Sequence, residues 1–92
     1  MIKYENKRGE YNMKKRIDPI DLAIGRELHD IRKQRGYTLL EVAERLGCTK
    51  SLISHYEHGK ASISVQQLMR ICTIYEVPYL DILEKVKGMI YR

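Results

Sequence analysis

The sequence predicts an all-α domain of five short helices, and three observations carry that expectation. Apolar residues recur at spacings of three and four rather than in alternation. Most of these runs open on a capping residue and close at a glycine or ahead of a proline. With no Trp or Phe among the 92 residues, the core must come from Leu, Ile, Val, Met and some of the seven Tyr, which suits small helices packed closely together.

The segments follow in order. Residues 1–17 hold six Lys or Arg against two Glu and show no sustained period, so a basic arm is expected there. Asp18 followed by Pro19 starts the first helix, which carries Ile24, Leu28 and Ile31 and stops at Gly36. Thr38 with Glu41 three residues later forms a capping box for the second, Tyr37 and Val42 are placed to staple it, and Gly47 ends it. Thr49 caps a third helix, taken as 49–58, before Gly59. Ser64 with Gln67 repeats the capping box for a fourth, carrying Leu68, Ile71, Cys72 and Tyr75. Pro78 separates it from a fifth.

Composition narrows the function. The formal net charge is +5, yet residues 18–92 hold eleven basic groups against ten acids, so the excess sits in the arm and an anionic partner such as nucleic acid is expected. Cys48 and Cys72 are too few for a disulfide framework, and the N-terminus lacks the apolar core of a signal peptide, which predicts a cytoplasmic protein. No apolar run approaches the ~18 residues needed to cross a bilayer.

The stretch "GCTKSLISHYEHGK" concentrates the chemistry. At about 100° per residue, Leu52, Ile53 and Tyr56 share one side of the third helix, while Lys50, Ser51, Ser54, His55 and His58 share an arc of roughly 140° on the other. That polar set holds donors and no carboxylate, an inventory suited to phosphate oxygens and base edges. Cys48, His55 and His58 lack a nearby fourth zinc ligand, and Ser51 or Ser54 beside His55 lacks an orienting carboxylate. Neither a metal, a cofactor nor an enzymatic activity is expected. Cys72 reads as a core residue, His58 suits either a phosphate or the negative end of its helix, and Lys33 and Arg35 suit the end of theirs.

Ala43, Gly47 and Ile53 have the spacing at which two short helices cross closely around a tight turn. With the Arg-x-x-x-Gly end of the first helix and the Glu-x-Gly end of the third, residues 22–83 resemble the helix-turn-helix domain of lambdoid phage repressors, Cro proteins and related bacterial regulators. The resemblance implies a five-helix repressor-like fold over 18–84 and a bacterial or phage-related regulator, most readily a repressor, that reads double-stranded DNA. Carried over by position, it implies that Lys50, Ser51, Ser54 and His55 face bases and that Thr38, the Leu39 amide, His58 and Lys60 lie near phosphates. It also implies an ion pair between Arg32 and Glu57.

Family members read two half-sites as two-fold dimers. The wide apolar stripe of the last helix, with its extension over 85–92, makes Ile82, Val86, Met89 and Ile90 candidates for a homodimer contact. The alternative is an antitoxin or other interaction module that uses the same fold to bind a protein partner. Three departures stand out. Leu39 occupies a position often filled by a polar phosphate ligand, Leu40 is unusually apolar for its face, and Glu76 stands where Gly is common, which predicts an altered turn or a left-handed residue.

Overall fold

The computed structural model describes residues 17–91, and the basic arm before Ile17 lies outside them. Five helices make up the described chain: α1 Pro19–Arg35, α2 Leu39–Leu46, α3 Lys50–Glu57, α4 Val65–Tyr75 and α5 Tyr79–Ile90. No strand occurs among the described residues, and none of their helices is long and apolar enough to cross a membrane.

Local chemistry sets the boundaries. The Asp18 carboxylate accepts from the Ile20 amide at 2.8 Å, and Pro19 opens the helix behind it. In the α2 cap, Thr38 Oγ1 accepts from the Glu41 amide at 3.1 Å while Glu41 Oε1 accepts from the Thr38 amide at 2.9 Å. Gly47 then takes φ 75°, a left-handed turn that lets the Cys48 amide return to the Ala43 carbonyl. Ser64 completes only half of the expected capping box. Its hydroxyl accepts from the Gln67 amide, but the Gln67 side chain accepts from Arg70 Nη1 one turn on, at 3.4 Å.

The core gathers one apolar face from every helix: Leu28 of α1, Val42 of α2, Ile53 of α3, Leu68, Ile71 and Tyr75 of α4, and Ile82 of α5. α1 packs on α3 and α5, and α2 on α3 and α4. At Gly25, α1 lies directly on the last turn of α3. A methyl group added there would sit inside the contact distance of the Tyr56 carbonyl and 2.7 Å from that of Glu57. Glu76 is the left-handed residue, at φ 58° and ψ 45°; its amide bonds back to the Cys72 and Thr73 carbonyls.

The last helix requires a correction. Ile82 and Val86 are 1% and 5% exposed and belong to the domain's own core, because their i, i+4 stripe meets the rest of the bundle. They are not free for a dimer contact. Of the four candidates, Met89 is exposed and Ile90 half-buried. The apolar surface left open on α4 and α5 consists of Val65, Met69, Leu80 and Met89.

Two substitutions probe these constraints. Gly25→Ala lowers stability by ~1–3 kcal/mol despite alanine's better helix propensity, since the added methyl meets backbone that cannot rotate away. Glu76→Gly raises stability by about 1 kcal/mol by relieving the left-handed residue. Urea unfolding midpoints measure both.

Candidate nucleic-acid interface

α3 is fastened at both ends, which fixes the direction of its outer face. At its start the Thr49 hydroxyl accepts from the Leu52 amide at 3.1 Å. Lys50 and Ser51 are thereby held in the first turn, exposed. Ser54 and His55 follow on the same side, half-buried, while Ile53 and Tyr56 face the core. At its end, Glu57 turns inward to Arg32 of α1.

That contact is bidentate. Arg32 Nε donates to Glu57 Oε2 at 2.7 Å and Nη2 to Oε1 at 3.0 Å, with both side chains buried. Hydrogen bonding to Glu57 holds the Arg32 guanidinium above its ordinary range, against the opposing effect of burial. The third arm, Nη1, donates to the Tyr37 carbonyl at 3.0 Å, which ties the α1–α2 turn to the same charge. Tyr37 is held from outside as well. Arg45 lies 4.8 Å above its ring and donates to its hydroxyl at 3.1 Å. The Tyr75 ring lies 6.0 Å from that of Tyr37, and its buried hydroxyl has no hydrogen-bond partner among the described residues.

Beside α3, the start of α2 and the end of α1 border an open depression of about 540 Å³ lined by Lys33, Thr38, Leu39, Leu40 and Lys50 among others. The Thr38 amide is already taken by Glu41, whose carboxyl is held below its ordinary range by that bond. The next amides, of Leu39 and Leu40, have no acceptor among the described residues. On the far side, His58 caps α3: Nδ1 donates to the Ser54 carbonyl at 2.8 Å and lies 3.4 Å from the Ser54 hydroxyl. Lys60 is exposed in the following loop, and its amide donates to the His55 carbonyl at 2.9 Å.

Helical spacing brings Lys50, Ser51, Ser54 and His55 onto one face, Thr38 and Leu39 line the depression with Lys50, and His58 and Lys60 follow the other end of α3. Cys48, His55 and His58 do not gather: no group of three or more His, Cys, Asp or Glu among the described residues is placed to hold a metal ion. Cys72 is buried, and burial raises its thiol to about 11. Sequence reasoning passed over Tyr37 and Arg45 as a brace, although a Tyr at the helix entrance and an Arg two turns later were visible. Lys33 lies exposed in the last turn of α1, as expected, and lines the same depression as Lys50.

A family model of the helix-turn-helix domain matches residues 23–82. The antitoxin PezA of Streptococcus pneumoniae is 34% identical over 64 residues, which cover 70% of this chain and 40% of that protein. The HTH-type transcriptional regulator SinR of Bacillus subtilis is 32% identical over 63 residues, 67% of this chain and 57% of its own. Among solved structures, the clp gene regulator ClgR from Corynebacterium glutamicum superposes with a TM-score of 0.73 at 26% identity, covering 80% of this chain and 79% of that one. SinR in complex with DNA gives 0.60 at 33% identity, covering 65% and 97%. The chain spans 40% or less of the first curated relatives it matches.

Arg32→Ala or Glu57→Ala alone costs ~3–5 kcal/mol, because each leaves a buried charge uncompensated. Arg32→Met combined with Glu57→Leu costs far less than the sum of the single substitutions, as a double-mutant cycle in urea measures.

Proposed function

The chain belongs to the helix-turn-helix domain family, and from that premise we propose that it is a sequence-specific regulator of transcription that occupies double-stranded DNA with α3 in the major groove. The observation that carries the reading is the outer face of α3, rich in donors, free of carboxylates, and fixed in direction by a cap at one end and a buried ion pair at the other. Lys50, Ser51, Ser54 and His55 meet base edges. Lys50 suits guanine, whose N7 and O6 are acceptors, and the hydroxyls and imidazole accept or donate as the neighbouring pair requires.

Phosphates flank this contact. Thr38 and the free amides at the start of α2 take one strand, and Lys60 with the outward nitrogen of His58 takes the other. In this reading the domain comprises residues 18–84, the basic arm 1–17 adds non-specific attraction, and a second copy on an adjacent half-site completes the operator. Met89 and Ile90, in the segment 85–92 that extends the last helix, remain available for the contact between copies. The reading needs no enzymatic step, metal or cofactor.

The likeness to the antitoxin PezA favours a second reading, in which the same domain chiefly engages a protein partner. The two separate cleanly: enrichment of binding sites from random duplex DNA yields a palindromic motif with half-sites about one helical turn apart under the first, and no motif under the second. A stoichiometric copurifying protein supports the second.

Against the enriched site, Lys50→Ala costs ~1–3 kcal/mol and alters preference at one base pair. Lys60→Ala weakens all sequences alike and reduces the slope of affinity against salt by about 1. Equal loss on cognate and scrambled DNA for Lys50→Ala overturns its assignment as a base reader.

A further inference from the structure

The functional reading leaves Leu39 and Leu40 unexplained. Leu40 is 54% exposed at the second position of α2, and Leu39, half-buried, packs against the core from the position before it. An isolated exposed leucine calls for no explanation. Here, however, two line one depression with Lys33 and Lys50, the second of which begins the recognition face of α3. The Glu41 carboxylate, next along α2, is drawn back onto the Thr38 amide.

An apolar surface that shares a depression with two lysines fits a partner that carries both anionic and apolar groups. DNA provides both. Phosphates meet the lysines, and the thymine C5-methyl is the apolar group that the base edges offer in the major groove. Resting on the DNA reading above, we propose that Leu40, flanked by Leu39, is a specificity-determining residue that covers a thymine methyl beside the base pair met by Lys50. The start of α2 then reads sequence as well as holding phosphate.

The test begins with the site enriched by the 92-residue chain. That duplex is remade with deoxyuridine at one thymine position at a time, which removes the methyl and leaves base pairing unchanged. The expected result is one position per half-site at which deoxyuridine weakens binding about four-fold, the worth of one buried methyl. At that position Leu40→Ala binds the thymine and deoxyuridine duplexes equally; because the side chain is exposed, the variant keeps its fold, and thermal melting checks this.

A thymine effect of equal size in both chains, or none at any position, overturns the assignment of Leu40 and leaves the DNA reading standing. Failure to enrich any sequence overturns both together and assigns the exposed leucine to a protein surface.

Discussion

The Glu57 carboxylate is drawn out of water by Arg32, and the surface assigned to DNA takes its shape from that contact. One guanidinium serves three elements: α1 supplies it, the end of α3 receives two of its hydrogen bonds, and the turn into α2 receives the third. An apolar replacement could fill the same volume, and buried pairs of this kind often contribute little net stability. What apolar packing does not supply is direction. Fixed donors hold the last turn of α3 and the entrance to α2 at set angles, and with the Thr49 cap at the start of α3 they fix the elements that carry the residues assigned to bases and phosphates.

Most of the architecture was legible because helix limits are local chemistry. Asp18, Thr38, Thr49 and Ser64 each cap the helix that sequence assigns to them, and Gly36 and Gly47 end theirs in left-handed turns. Gln67 was misread because a box needs its side chain to turn back, and Arg70 competes for it one turn along. Ile82 and Val86 were misplaced for another reason: a helical wheel shows how wide an apolar stripe is, but not how much of it neighbouring helices cover. The brace of Arg45 on Tyr37 and the shared depression lined by Lys33 and Lys50 depend on how separate elements pack, which no local pattern encodes.

The described domain is close to electrically neutral, with its basic excess carried by the arm. Attraction to a polyanion by the domain itself therefore arises from position rather than total charge. Lys33 and Lys50 line the depression at the start of α2, where the Glu41 carboxylate is engaged by its cap, and Lys60 is exposed in the loop after α3. Such an arrangement concentrates the field where contact is made and leaves the remaining surface mixed in sign.

The meeting of Gly25 with the carbonyls of Tyr56 and Glu57 has an evolutionary consequence. The seat of α3 at this point is backbone resting on backbone, so it does not depend on which side chains the helix carries outward. Lys50, Ser51, Ser54 and His55 alternate with the residues that anchor α3, and they are free to drift without unseating it. In the proposed reading, exchange of those outer residues changes the bases met while the Gly25 contact keeps one docking geometry.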